Sequence, residues 1–180
     1  MTFKPLHIPG HLYFVTFTIV EWLPLFSEDA YASIVLQSLD WHRNNKRFQL
    51  FTFVVMPTHA HWICKPEDPH TINIALQSFA SFTAHSILKQ LREDRHDKWL
   101  KIFADHAKPD KAHHIWQKPM AENVFSPDFL FQKMEYIHNN PVSKKWQLVS
   151  DRADYRFSSA CFYDRDEAPA IPVDDVRNIF

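Results

Sequence analysis

Glycine occurs once in this chain of 180 residues, at Gly10, against 12 prolines. The glycine-rich phosphate loops of Walker and dinucleotide type let the backbone approach a phosphate only through several glycines, so neither can form here. Turns must instead be built from Pro, Asn, Asp and Ser. Cysteine is nearly as scarce. Cys64 and Cys161 stand in no metal or redox spacing, and they read as small buried apolar residues in a reducing compartment. No apolar run approaches the length of a membrane span, and the first ten residues lack the basic-then-apolar layout of a secretory signal. A cytoplasmic protein without membrane contact is expected. Excess charge of one sign is missing too: 20 basic and 21 acidic side chains leave a net charge of −1, which gives no overall argument for a polyanionic partner.

Apolar and aromatic side chains are plentiful. Hydrophobic residues make up 46% of the chain and aromatics 15%, enough for a folded core and too much for wholesale disorder. The charges are unevenly placed. Lys98, Lys101, Lys108, Lys111 and Lys118 follow one another through the middle, and Asp164, Asp166, Glu167, Asp174 and Asp175 crowd the C-terminal end. The lysines read either as a solvated loop or as a local basic surface.

Tyr13 to Val20 is aromatic and β-branched and predicts a strand. Ser27 before Glu28 and Asp29 signals a helix start, with Ile34, Leu36, Leu39 and Trp41 supplying apolar contacts as far as Asn44. Phe48 to Val55 and His59 to Lys65 read as a hairpin joined at Met56-Pro57-Thr58. Thr71 caps a helix running to about Leu91 with a stripe of Ile74, Phe79, Phe82 and Ile87. Residues 92–114 are polar and without clear pattern, and Ile115-Trp116-Gln117 suggests a short strand. Ser126-Pro127-Asp128 opens another helix, which Pro141 should end near Asn139. Phe157 to Tyr163 suggests a last short helix. Strand, helix, hairpin, helix, strand, helix predicts an α+β domain in which helices pack on an antiparallel sheet.

His59-Ala60-His61 is the pair that carries chemistry. With 12 histidines, an H-x-H spacing arises by chance without difficulty. On a strand, however, residues i and i+2 share a face about 6.5 Å apart, and neutral imidazoles there can converge on one divalent ion. His113-His114 is adjacent rather than alternate, so its rings diverge, and it reads as solvated or substrate-facing. Far downstream, Tyr136 and either Asn139 or Asn140 share a helical face, part of a polar stripe with Gln132, while Phe131 and Met134 mark the core side. A phenol needs help to act as a nucleophile. A cation beside the attacked phosphate supplies it by neutralising charge and orienting the group.

These residues carry a family resemblance. Val55-Met56-Pro57-Thr58-His59-Ala60-His61 resembles the HUH motif of single-tyrosine transposases, with Thr58 where the family usually has Asn. Tyr136-Ile137-His138-Asn139-Asn140-Pro141-Val142 resembles their Y-I-H-x-N-P-V signature. Ile115-Trp116-Gln117 and Asp154-Tyr155-Arg156-Phe157-Ser158-Ser159-Ala160 resemble flanking motifs in the same order. The closest group is the REP-associated tyrosine transposases, over about Tyr13 to Tyr163. The chain departs from the pattern after Trp116-Gln117, which lacks the usual glycine, and after Pro141-Val142, where Ser143-Lys144-Lys145-Trp146 intervenes.

The resemblance implies a ferredoxin-like antiparallel sheet within a single HUH domain spanning residues 1–165, followed by a peripheral acidic tail at 166–180. It implies Tyr136 as nucleophile, His59, His61 and Asn140 as ligands of Mg²⁺ or Mn²⁺, and single-stranded or hairpin DNA at repeat sequences as partner. Cleavage and rejoining then pass through a 5′-phosphotyrosine link, by a monomer or a homodimer. Lys98, Lys101, Lys108, Lys111 and Lys118, with neighbouring aromatics, are the expected DNA-tracking residues. Two other readings compete: a DNA-hairpin-binding protein without turnover, and a metal-dependent phosphodiesterase that uses water.

Overall fold

Alternation of side chains along the strands sets the architecture. The structure, a computed structural model, describes residues 7–107 and 112–179. Strands β1 (Leu12–Thr18), β2 (Phe48–Met56), β3 (His59–Pro66) and β4 (Met120–Val124) form one sheet in the order β2-β3-β1-β4, every pair antiparallel. Helices α1 (Asp29–Asn44) and α2 (Ile72–Glu93) connect them in the β-α-β-β-α-β order of a ferredoxin-like fold. Helix α4 (Pro127–Asn139) follows β4, and α5 (Ala160–Arg165) lies near the C-terminal end.

Each strand sends alternate residues to two cores. Tyr13, Val15 and Phe17 of β1 and Ala60, Trp62 and Cys64 of β3 meet α1 and α2 on one face. There Phe17 stacks on Trp62 at 5.3 Å, and Phe79 of α2 meets both rings at 4.8 Å. Leu12 and Phe14 of β1 and Ile63 of β3 turn to the other face, where Leu130, Met134 and Ile137 of α4 cover them. His59 and His61 share the parity of Ile63 and so project beneath α4. A bulge at Phe51 shifts the β2–β3 register between Leu50 and Thr52. Beyond it, the Thr52 hydroxyl meets His138 Nε2 at 2.7 Å, and both bond Ser159 Oγ at 3.0 Å. This buried polar knot ties α4 to the sheet two residues after Tyr136.

Several expectations are corrected. Ser27 ends a 3₁₀ turn (Leu25–Ser27), and Glu28 occupies the N-cap of α1. On α2 the buried face is Ala75, Leu76, Phe79, Thr83 and Ile87, whereas Ile74 and Phe82 are exposed. On α4 Phe131 is exposed, and Leu130 takes its place in the core. The 92–114 stretch contains α3 (Asp97–Asp105), amphipathic enough to lay Trp99, Leu100 and Phe103 on the α1/α2 core. Trp116 makes only an isolated bridge to Ile19, and the strand begins four residues later, at Met120.

The acidic tail is not peripheral. Asp174 accepts two hydrogen bonds from Arg43 (2.9 and 3.1 Å) and one from the Leu50 backbone N–H (2.9 Å), and its own N–H donates to Leu50. Val176 is buried in the α4-side core. Together with the backbone bonds of Val55 to Phe157 and of Ser159 to Phe53, these contacts cover an edge strand that would otherwise expose unpaired backbone groups. No helix among the described residues is long and apolar enough to cross a membrane.

Candidate metal and nucleophile site

His59 and His61 lie on the α4-facing side of β3, opposite Thr18 and Thr16 of β1. Their ring centroids are 4.7 Å apart, so the two imidazoles do converge. Each is anchored through Nδ1: His59 to the Thr58 hydroxyl at 2.9 Å, His61 to the Thr16 hydroxyl at 2.8 Å. The Nε2 of His61 then faces Tyr136, whose hydroxyl lies 3.5 Å away. Phe14 stacks on the His61 ring at 5.3 Å and meets Tyr136 edge-on at 6.0 Å.

Burial lowers the pKa of both imidazoles, to about 4 for His59 and about 3 for His61. Desolvation is the main cause in both. The Lys145 ammonium lowers His59 further, against a hydrogen bond with Asn140, and His59 and Lys133 lower His61. Both rings are therefore neutral at pH 7, the state in which imidazole binds a cation.

Asn140 joins them by a route other than the one expected. Pro141 should have drawn its backbone into an extended conformation, yet Asn140 stays helical at φ −52°, ψ −49°. Hydrogen-bond accounting gives the reason. Pro141 offers no N–H to the Ile137 carbonyl, so the Asn140 N–H bonds it at 3.3 Å. The Tyr136 carbonyl, freed in turn, accepts from Asn140 Nδ2 at 3.0 Å. Because a carbonyl can only accept, the amide orientation follows, and Oδ1 is left for the cavity. Asn139 is committed elsewhere: it donates to Glu135 at 3.1 Å and accepts from Arg152 at 3.3 Å.

The donor chemistry suits a divalent ion: two neutral imidazoles with hydroxyl-anchored Nδ1 atoms, and an amide oxygen. No group of three His, Cys, Asp or Glu side chains able to hold a metal occurs among the described residues. His59, His61 and Asn140 would thus form a neutral set, leaving the ion's charge for an anionic substrate.

The cavity over these residues measures about 780 Å³ and is lined by Lys118, Lys133 and Lys145 but by one carboxylate, Glu135. Of the lysines expected to track DNA, Lys98, Lys101 and Lys118 fall among the described residues, and of these three only Lys118 lines the cavity. Lys98 and Lys101 sit on α3, which packs against the core on the other side of the sheet, and Lys101 pairs with Asp105 at 3.4 Å. Lys108 and Lys111 lie outside the described residues. His113 and His114 are partly buried outside the cavity.

Sequence reasoning missed Lys133, Lys145, Trp146, Trp22, Phe14 and Thr16. Lys133 precedes Tyr136 by three residues, a spacing that signals a shared helical face. Its ammonium stands 4.4 Å from the Phe14 ring centroid and 2.8 Å from Glu122. Lys145 and Trp146, read only as part of a departure, line the cavity. The other late tyrosines are unsuited to attack: Tyr155 and Tyr163 donate to the β2 carbonyls of Val55 and Phe51 at 2.9 and 2.6 Å, and burial pushes both up to about 12.

No family model matches the sequence, and no curated protein does. Among solved structures, the chain resembles a REP-associated tyrosine transposase bound to a REP hairpin, with TM-score 0.65 and 19% identity over 98% of this chain and 93% of the other. A putative transposase from Deinococcus radiodurans R1 overlaps at TM-score 0.49 and 15% identity, over 77% of this chain and 97% of the other. The first likeness is one of fold and extends over the whole sheet and its helices.

Proposed function

We propose that this protein cleaves and rejoins single-stranded DNA through a covalent link to Tyr136, at hairpin-forming repeat sequences. One observation carries the reading: the hydroxyl of Tyr136, an exposed residue, lies 3.5 Å from His61 Nε2, above a convergent pair of neutral imidazoles. A cavity lined by three lysines, one of them paired with Glu122, and by one carboxylate favours a polyanion. The similarly folded transposase was solved on hairpin DNA, which supports the same class of substrate here.

Lys118, Lys133 and Lys145 draw the backbone in, and one phosphate lies against the imidazole pair. His59, His61 and Asn140 would hold Mg²⁺ or Mn²⁺, which when bound would neutralise phosphate charge and orient the group. The Tyr136 oxygen gives its proton to solvent and bonds to phosphorus in line with the leaving O3′. The P–O3′ bond breaks and O3′ takes up a proton from solvent, leaving a 5′-phosphotyrosine and a free 3′-hydroxyl. The phosphodiester energy is kept in that link, so rejoining needs no nucleotide cofactor, in keeping with the lack of any glycine-rich loop.

Intact-protein mass spectrometry after incubation with a single-stranded repeat oligonucleotide and Mn²⁺ tests this. An adduct on Tyr136, lost in Tyr136→Phe while binding stays within a few-fold, is the expected result. Cleaved product without adduct would assign attack to water. Neither product nor adduct on any repeat hairpin would leave a binding protein only.

A further inference from the structure

Two consecutive residues beside the cavity, Glu21 and Trp22, hold left-handed backbone conformations at φ 56° and 53°. Neither is glycine, and L side chains pay for this geometry through the clash of Cβ with the following carbonyl. The turn is held by bonds from Val20 N–H to Ile115 O (2.8 Å) and from Trp22 N–H to Ile19 O (3.0 Å), and by Glu21 to His106 (2.9 Å). Its product is an indole that the core does not use: Trp22 is 54% exposed. Strain kept for an exposed aromatic points to a role outside folding. The ring stands edge-on to His59 at 6.1 Å, and Trp146 lies 5.9 Å from His59. Lys145 Nζ sits 5.6 Å from the Trp22 ring and 5.2 Å from the Trp146 ring.

We propose that Trp22 and Trp146, with Lys145 between them, form a stacking site for one unpaired base next to the phosphate that His59 and His61 address. This rests on the proposed function, since it takes the nucleic acid in that cavity as substrate. Every base has a π-face, so two indoles accept a base with little sequence preference. The Lys145 ammonium serves the adjoining phosphate. A base in a duplex already has both faces covered, so the site admits only a nucleotide out of the stack and thereby selects single-stranded over paired substrate.

A series of single-stranded oligonucleotides, each with one abasic position, tests the proposal by binding to Tyr136→Phe protein. Stacking one base is worth a factor of about 5 to 150 in affinity. Wild-type stacking residues should show such a loss at one position, and Trp22→Ala should bind the intact strand more weakly and show a smaller penalty from that abasic site, because only Trp146 then covers the base. Trp22→Phe should recover most of the affinity. Trp22→Gly should bind as weakly as Trp22→Ala yet melt no lower than wild type, because glycine carries no penalty at this φ. Unchanged affinity and an unchanged abasic profile in Trp22→Ala overturn the stacking site even where the Tyr136 adduct forms. Single-strand binding with the predicted profile but no adduct overturns the cleavage reading and leaves the stacking site standing. No binding of single strands overturns both.

Discussion

The two asparagines after Tyr136 show how local bonding decides a role. Asn140 holds Nδ2 on the Tyr136 carbonyl and turns Oδ1 to the cavity, whereas Asn139 is tied to Glu135 and Arg152. Asn140→Ala should therefore lower Mn²⁺ affinity in calorimetry and slow adduct formation by about 10- to 100-fold, the usual cost of disturbing a metal site. Asn139→Ala should change either by less than about threefold, and equal losses in the two variants would remove the distinction. Thr16→Val makes a second case. The swap keeps shape but removes the hydroxyl that orients His61. Metal affinity and adduct rate should fall together by about tenfold, with oligonucleotide affinity measured without metal unchanged. A fall in oligonucleotide affinity alone would mean that Thr16 contacts DNA instead. That His59, His61 and Asn140 line one cavity was legible in the sequence, because an i, i+2 pair and a signature segment are local patterns. Thr16 was not. It reaches His61 only through the β1–β3 register, which joins residues 45 positions apart. Lys145 and Trp146 escaped because an insertion has no periodicity to betray its direction.

Elements were legible wherever a cap coincided with a hydrophobic period. Thr71 and Ser126 accept from Ile74 and Phe129 N–H as their N-cap positions predict. β4 was missed because Met-Ala-Glu-Asn-Val has little β-branched character, and an edge strand with one well-buried residue has little pattern to show. α1 and α2 carry a further consequence. His42 of α1 is buried against Phe48 and Phe79, with Nδ1 on the Ser38 carbonyl and Nε2 without a partner among the described residues. Burial lowers its pKa below the ordinary 6.5. The unfolded chain then binds the proton more readily than the folded one, so the stability contributed is full above about pH 6.5 and is lost as pH falls toward the folded value. His42→Leu removes the titrating group and the orphaned nitrogen together. Denaturant unfolding should find this variant within about 1 kcal/mol of wild type at pH 7.5, and relatively more stable at pH 5. A gap that does not change between the two pH values would exclude His42 as an acid-sensitive point of the α1/α2 layer.

The molecule as a whole is a sheet with a core on each face and the candidate site on the α4 side, and the edge of β2 must be closed for both. A Pro- and acid-rich composition suggested a peripheral tail, since charge runs usually remain solvated. The side chain of Asp174 instead finds Arg43 and the Leu50 N–H, a long-range match that composition does not encode. Neither Asp174, Arg43 nor Leu50 lines the cavity, so the contact should govern stability without touching chemistry. Asp174→Ala leaves an edge-strand N–H and a partly buried guanidinium without their acceptor. The hydrogen bonds argue for about 1–3 kcal/mol, and partial exposure of the ion pair, at 24% and 27%, holds the value to the lower part of that range. For a chain of this length each kcal/mol is about 2–4 °C in Tm. A drop of about 3–6 °C by calorimetry is expected, with the rate of adduct formation unchanged at 20 °C. Asp174→Asn should fall between, because its amide oxygen still accepts from Leu50 while the charge toward Arg43 is gone. A melting temperature equal to wild type in Asp174→Ala would return the tail to the periphery. A slowed reaction in a variant that melts normally would instead tie the β2 edge to the position of α4, through the Thr52, His138 and Ser159 knot that lies between them.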